Sequence, residues 1–166
     1  MARHGLARAE ALASQAGKEF DAARWGTAEG RISGAADEPD TADVRINADF
    51  DKLTRALLNV LTNCIRYADK RVEVRVGRNE PGWVSVAIGD DGPGIAHDDL
   101  PHIFDRFYKG RRGVVGLGLA IAQHVVERHG GSITAQNRDK GALFTIRLPV
   151  TKAPGGARDG LTRTGT

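Results

Sequence analysis

Apolar residues recur along this chain with two periods, and each period predicts a different kind of element. Between Asp49 and Ala68 they return at about 100° per residue, the spacing that gathers side chains on one face of a helix. The same spacing from Leu117 to Arg128 predicts a second helix, which Gly130 ends. An alanine-rich stretch from Leu6 to about Ala16 predicts a third. The apolar face of the 49–68 helix, broad enough to cover a sheet, consists of Phe50, Leu53, Leu57, Leu58, Val60, Leu61, Cys64, Ile65 and Ala68.

Alternation of apolar and polar residues predicts the strands. It occurs at 71–76 and 83–88 around a Pro81-Gly82 turn, and at 132–136 and 143–148 around a turn at 139–141. A shorter alternation at 44–46 predicts one more strand. Because hairpins and helices are interspersed, we expect an α/β fold. Its predicted form is a two-layer α/β sandwich with a mixed, mostly antiparallel sheet and helices on one face.

The length of 166 residues suits a single domain. We expect residues 44–150 to form its core and residues 1–43 to add an N-terminal helix and a linker or edge region. Residues 151–166 are rich in glycine, threonine and arginine, which predicts a disordered tail. The pattern between residues 17 and 43 is indistinct.

Composition narrows the class of protein. Charged residues make up 27% of the chain and the net charge is +3, which is typical of a soluble domain and gives little reason to expect nucleic acid as a partner. The single cysteine, Cys64, excludes an intrachain disulfide, and its place on the apolar face predicts a buried thiol. The longest apolar run, at 113–122, is too short to cross a membrane. We expect a cytoplasmic protein without a membrane span.

The polar face of the 49–68 helix carries two asparagines one turn apart, Asn59 and Asn63. Asparagine is a mediocre helix former, so two of them in register suggest a site. Their neutral amide oxygens can ligate Mg²⁺ without adding negative charge beside a polyphosphate, and Arg66 is placed to meet phosphates. Ordinary solvent-exposed polar residues are the alternative at this point.

Two glycine motifs follow. In the first, Asp90 stands at a strand end before Gly92 and Gly94, where a carboxylate can accept a hydrogen bond from an amine such as adenine N6. The second, Gly116 and Gly118, opens a helix whose free N–H groups suit phosphate. Taken singly, the first is also compatible with a simple turn and the second with close helix packing.

The order of four motifs is more specific than any one of them. The segments 59–68 (NVLTNCIRYA), 90–95 (DDGPGI), 103–110 (IFDRFYKG) and 116–122 (GLGLAIA) resemble the N box, first glycine box, F box and second glycine box of one family. This is the ATP-binding catalytic domain of sensor histidine kinases, in the superfamily of gyrase, heat-shock chaperones, histidine kinases and MutL (GHKL). The resemblance covers roughly residues 44–150 and implies the α/β sandwich known as the Bergerat fold.

The resemblance implies a role for each matching residue. Asn63 would ligate Mg²⁺ with Asn59 alongside, and Asp90 would hold the adenine amine of ATP. In relatives that hydrolyse ATP, a glutamate stands at the position of Asn59. An amide is a poor base, which favours transfer to a protein acceptor over hydrolysis. Arg106 would stabilise charge on the transferring phosphoryl group. The remaining residues implied in nucleotide binding are Arg66, Tyr67, Gly92, Gly94, Ile95, Phe107, Lys109, Gly116, Leu117, Gly118 and Leu119.

Two departures from the family pattern matter. The segment 109–115 (KGRRGVV) is a short lid with Val114 where the family commonly has glycine, which places lid closure and ATP affinity in question.

No dimerising hairpin with a phosphoaccepting histidine is recognisable. We therefore expect a monomer that phosphorylates a histidine-containing dimerisation protein or domain in trans and, through it, a response regulator. This describes a split kinase or an excised domain. The alternatives are an anti-sigma-factor-type serine kinase and a non-catalytic nucleotide-binding interaction module.

Overall fold

The structure, a computed structural model, describes residues 2–25, 45–78, 80–108 and 117–151. The described residues form three helices and five strands, with a short 3₁₀ turn at Leu100–His102. The elements are α1 Ala2–Gln15, β1 Glu19–Trp25, α2 Phe50–Tyr67, β2 Arg71–Gly77, β3 Trp83–Asp90, α3 Gly118–Arg128, β4 Ser132–Asn137 and β5 Ala142–Pro149.

The five strands form one sheet in the order β1-β2-β3-β5-β4. The β1–β2 pair is parallel, and the β2–β3, β3–β5 and β4–β5 pairs are antiparallel. The predicted α/β fold with a mixed, mostly antiparallel sheet is therefore confirmed. Both predicted hairpins are present, with their turns where the glycines and Pro81 placed them.

One face of the sheet meets the helices and forms the core. Alternate residues of the strands are buried there, among them Val72, Ile88, Phe144 and Ile146. From α2 the core takes Leu53, Ala56, Val60, Leu61, Cys64 and Ile65. Phe50 departs from the predicted apolar face, because it is 48% exposed. As the first residue of α2 it has helix neighbours on one side only.

Helices α2 and α3 pack against each other in opposite directions. Asp49 caps α2, since its side chain accepts a hydrogen bond from the Lys52 N–H at 3.1 Å. Its own N–H donates to Nε2 of His129, just past the end of α3, at 3.0 Å. The first turn of α2 is thus tied to the last turn of α3. None of the helices in the described part of the chain is long and apolar enough to cross a bilayer.

Strand β1 is an element that the sequence pattern does not predict. Its residues show no clear alternation, but the strand runs in register beside β2, from Glu19 opposite Arg71 to Trp25 opposite Gly77. A parallel pair needs a crossover, which includes α2 here. Near 44–46, Arg45 makes only an isolated bridge to Thr151, so the structure has no strand there among the described residues. Thr151 is also the first residue of the predicted tail; residues 152–166 lie outside the described part.

Candidate nucleotide-binding site

Helix α2 contacts both glycine motifs. At its C-terminal end, a methyl group at Gly92 would overlap the backbone carbonyl oxygen of Tyr67. In its middle, a methyl carbon at Gly118 would lie 3.6 Å from Cβ of Asn59. Eight residues separate Asn59 from Tyr67, which is about 12 Å along a helix. The N box therefore lies between the two glycine boxes, which meet it at opposite ends.

Asp90 is a buried acid at the end of β3, with only 3% of its surface exposed. Its Oδ1 accepts hydrogen bonds from the N–H of Gly92 at 3.0 Å and of Ala142 at 3.4 Å. Burial raises the pKa of Asp90, although these two N–H groups and the guanidinium of Arg138 oppose the shift. Both backbone donors bind the same oxygen, so neither occupies Oδ2.

The thiol of Cys64, on α2, belongs to the same buried region. Burial raises its pKa well above the ordinary value, and the neighbouring charge of Asp90 adds to that effect. Its Sγ lies 4.0 Å from the carbonyl oxygen of Ile88. The prediction of a buried cysteine is confirmed.

Asp91 is bound differently from its neighbour. Its Oδ1 accepts three backbone N–H groups, from Asp69 at 3.0 Å and from Lys70 and Arg71 at 2.9 Å each. Burial would raise the pKa of Asp91, but these bonds and the charge of Lys140 outweigh it and lower the pKa. Asp91 therefore fastens the connection from α2 to β2 beside the first glycine box.

Residues at the end of β4 and in the turn that follows it hydrogen-bond to the first glycine box on its other side. The Asn137 side chain accepts from the Ile95 N–H at 2.8 Å and donates to the Ile95 carbonyl at 2.7 Å. Arg138 donates through Nη2 to the backbone carbonyl of Asp90 at 3.2 Å. Gly141, with φ of 85°, lies so close to that carbonyl that a methyl group there would overlap it. These contacts hold both ends of the loop.

Arg138 lies over Gly89 on the sheet face opposite the helices, and its buried Nε has no hydrogen-bond partner among the described residues. A cavity of about 60 Å³ opens beside it, far smaller than a nucleotide requires. Its lining residues are Glu73, Arg75, Ala87, Gly89, Arg138 and Leu143. It lies on the face of the sheet opposite the helices, away from the stretch of α2 between the two glycine boxes.

The described part of the F box is anchored by one ring and exposes another. Phe104 packs edge-on against Phe144 of the core, with ring centroids 6.5 Å apart. Phe107 is 66% exposed and has a left-handed backbone with φ of 63°. Tyr108 donates through its hydroxyl to Asp99 at 2.8 Å. The anchored half holds the loop on the core, while the backbone turns at Phe107 just before the lid.

The structure places the predicted site residues in several settings. Asn59 and Asn63 are half-buried on α2, whereas Arg66 and Arg106 are exposed. Leu117 is exposed beside the half-buried Gly118. Leu119 is buried in the core, and Tyr67 and Ile95 are half-buried. Lys109 and Gly116, with the rest of the short lid, lie outside the described residues.

Comparison with known proteins identifies the family. The family described as "Histidine kinase-, DNA gyrase B-, and HSP90-like ATPase" matches residues 48–152. The chain belongs to this family. It is the catalytic ATPase-type domain of sensor histidine kinases, as the four motifs predict. The signal transduction histidine-protein kinase AfsQ2 of Streptomyces coelicolor is 41% identical over 123 residues, which are 70% of this chain and 23% of that protein.

Solved structures share the domain's fold. The mycobacterial sensor histidine kinase MprB superimposes with a TM-score of 0.70 at 28% identity, over 89% of this chain and 92% of that one. Full-length ShkA, solved in complex with AMPPNP, gives a TM-score of 0.71 at 25% identity, over 91% of this chain and 29% of that one. The chain spans about a quarter of the length of the curated kinases it matches.

Sequence reasoning missed the residues whose hydrogen bonds support the backbone around the first glycine box. Asp91 was read only as part of the glycine motif, and Asn137 and Arg138 were not singled out. An asparagine at a strand end before a turn gives no local sign of its partner, since Ile95 lies 42 residues away. The two motifs that α2 contacts carry their own local signature, which is why they were found.

Proposed function

We propose that this chain binds ATP with Mg²⁺ in the cleft along α2 and transfers the γ-phosphoryl group to a histidine on a separate domain or protein. The observation that carries the proposal is the position of α2 between the two glycine boxes, with Tyr67 against Gly92 and Asn59 against Gly118. This arrangement offers a buried carboxylate near one end of the cleft and a helix N-terminus near the other.

The first glycine box is suited to adenine. Asp90 uses Oδ1 for the protein's own N–H groups, which orients the carboxylate and leaves Oδ2 to accept from an exocyclic amine. A guanine would present a carbonyl oxygen there and be repelled. Gly92 and Gly94 carry no side chain, which lets the loop pack closely against Tyr67 and Asn137. Ile95 has both backbone polar groups bound to Asn137, so it would contribute through its side chain.

The other end of the cleft is suited to Mg²⁺ and phosphates. No group of three or more His, Cys, Asp or Glu side chains gathers into a metal cage in the described ranges. Mg²⁺ commonly binds through one or two protein oxygens together with substrate phosphates, a role that the amides of Asn63 and Asn59 fit. Gly118 opens α3 beside Asn59, so the positive end of the helix lies near the phosphates. Gly116 and Leu117 would flank the phosphates. Arg66 and Tyr67, toward the other end of α2, would line the side that phosphates and base share.

The transfer step would use cations and an outside acceptor. Bound Mg²⁺ would draw charge from the phosphate oxygens, and Arg106 and Lys109 would stabilise the transferring group. The ring nitrogens of His129 are both occupied, by the Asp49 N–H and the Val125 carbonyl, so that histidine is a poor acceptor. We assign the acceptor to a histidine-containing dimerisation protein or domain, with a response regulator receiving the phosphoryl group afterwards. The chain alone would be a cytoplasmic monomer.

The direct test is phosphoryl transfer from γ-labelled ATP and Mg²⁺ to purified histidine-containing dimerisation domains of two-component systems. The expected product is a labelled partner whose phosphate is labile to acid and stable to alkali, formed by the wild type and not by Asn63→Ala. Label stable to acid would instead support the serine-kinase alternative. ATP binding without transfer to any acceptor would support the non-catalytic interaction module.

A further inference from the structure

The side-chain amide of Asn137 forms two hydrogen bonds with the backbone of Ile95, one as donor and one as acceptor, as in the pairing of two strands. Its Nδ2 donates to the Ile95 carbonyl at 2.7 Å, and its Oδ1 accepts from the Ile95 N–H at 2.8 Å. Asn137 is the last residue of β4, the edge strand that pairs with β5. The pair therefore attaches the far end of the first glycine box to the sheet.

The same amide fits the glycine before Ile95. Gly94 has φ of 78°, a backbone conformation that residues with a side chain rarely adopt. A methyl carbon there would lie 2.9 Å from Oδ1 of Asn137, closer than ordinary contact allows. The amide thus lies directly against the Gly94 backbone, and the loop is held in one path.

The near end of the loop is held by the turn that follows Asn137. Arg138 donates to the Asp90 carbonyl at 3.2 Å, and the Ala142 N–H donates to the Asp90 carboxylate at 3.4 Å. Asp90 is already in a strand, whereas Ile95 is not. Asn137 therefore holds the backbone of the part of the loop without secondary structure of its own, while the Ile95 side chain packs against the core.

We propose that Asn137 is a positioning residue of the nucleotide site, which sets the Gly94–Ile95 backbone in its ligand-binding path before nucleotide arrives. A loop that is ordered in advance costs less conformational entropy on binding, so affinity rises without a contact to the ligand. This inference rests on the proposed function, because it assigns a role within that same nucleotide site.

The test compares Asn137→Ala and Asn137→Asp with a matched control, Gln136→Ala. Gln136 carries the same amide group one residue earlier and is exposed; on the strand its side chain points to the opposite face. ATP affinity is measured by calorimetry at a temperature where every variant is fully folded. Losing two hydrogen bonds that order the loop is expected to weaken ATP binding by about 10-fold in Asn137→Ala. The control should match the wild type.

Amide hydrogen exchange without nucleotide separates positioning from a general loss of structure. In Asn137→Ala the Ile95 amide should exchange at least about 10-fold faster, because its acceptor is gone, while the amides of β4 and β5 keep their wild-type rates. Asn137→Asp retains the acceptor, so its Ile95 amide should stay slow although its ATP affinity falls. If the alanine variant does not fold, the aspartate variant decides by its ATP affinity.

Two results would overturn the inference. One is ATP affinity in the position-137 variants within about twofold of the wild type, which is less than one typical hydrogen bond contributes. The other is faster exchange spread evenly over β4 and β5. A wild type that binds no nucleotide would instead refute the proposed function itself, so the two failures are distinguishable.

Discussion

Gly118 of α3 faces Asn59 of α2 with room for one methyl group between them: a methyl carbon at position 118 would lie 3.6 Å from Cβ of Asn59, an ordinary van der Waals contact. An ordinary contact of this kind does not require glycine for folding. Glycine instead leaves open the space beside the amide, where the phosphates of a bound nucleotide would lie.

Gly118→Ala is therefore expected to fold as well as the wild type, with a melting temperature that is unchanged or higher, because alanine favours a helix over glycine by up to about 1 kcal/mol. Its ATP affinity should fall by about 10-fold or more, since the methyl group fills space that ligand atoms need; that is a cost of about 1.4 kcal/mol. Thermal unfolding and calorimetry measure the two effects.

The matched control is the glycine at the other end of α3. Gly130 has φ of 72°, so Gly130→Ala should lower stability by about 1 kcal/mol and leave ATP affinity unchanged. An alanine at position 118 that binds ATP as tightly as the wild type would contradict the assignment of this space to phosphate.

Asp90 is expected to reduce stability at neutral pH. Burial raises its pKa, so the folded state binds a proton more readily than the unfolded chain does, and this contribution to stability declines as pH rises above about 4. Asp90→Asn keeps the shape of the side chain and removes the charge. Its melting temperature without nucleotide should exceed that of the wild type at pH 7, and the difference should shrink toward pH 4. A lower melting temperature at pH 7 would contradict this account.

Asp91 should behave in the opposite way. Its lowered pKa means that its contribution to stability is present above about pH 4 and is lost as pH falls through the folded-state pKa. Asp91→Ala removes the acceptor of three backbone N–H groups and should cost about 2 kcal/mol in the free energy of unfolding at pH 7. Urea titrations at pH 7 and pH 3 measure it. An equal cost at both pH values would show that the charge is not involved.

The strained backbone at Phe107 gives a further prediction. A non-glycine residue with a left-handed φ costs about 1 kcal/mol, and asparagine adopts this conformation more readily than phenylalanine. Because the ring is 66% exposed, its removal loses little burial. Phe107→Asn should therefore unfold with a free energy equal to or above that of the wild type. Phe104→Ala, which removes a ring packed on the core, should cost about 3 kcal/mol. Similar losses for both would contradict the different settings of the two rings.

How far the sequence predicts this fold depends on how local the signal is. Helix α2 was predicted because its 18 residues repeat one period. Strand β1 was missed, since its strand state comes from pairing with β2, some 50 residues away, together with the bond from the Glu19 N–H to the Lys70 carbonyl at 2.7 Å. Phe50 was misplaced because periodicity does not register that a residue stands at a helix end.

The candidate site divides in the same way. Asn59, Asp90 and the glycines lie in short motifs with a recognisable order, so reading along the chain finds them. Asn137 contributes through a contact with Ile95 that exists only once β4 lies beside the first glycine box. Such supporting residues have no signature at the level of sequence, because their chemistry is that of any polar turn.

The central claim is that α2, lying between the two glycine boxes, forms one site for ATP and Mg²⁺. The measurement that tests it most directly is calorimetry of ATP binding, with and without Mg²⁺, to the wild type, Asp90→Ala and Asn63→Ala. The account predicts that ATP binding is lost in Asp90→Ala and that Asn63→Ala still binds ATP but no longer responds to Mg²⁺. Wild-type protein that binds no ATP, or variants that bind it as the wild type does, would contradict the claim.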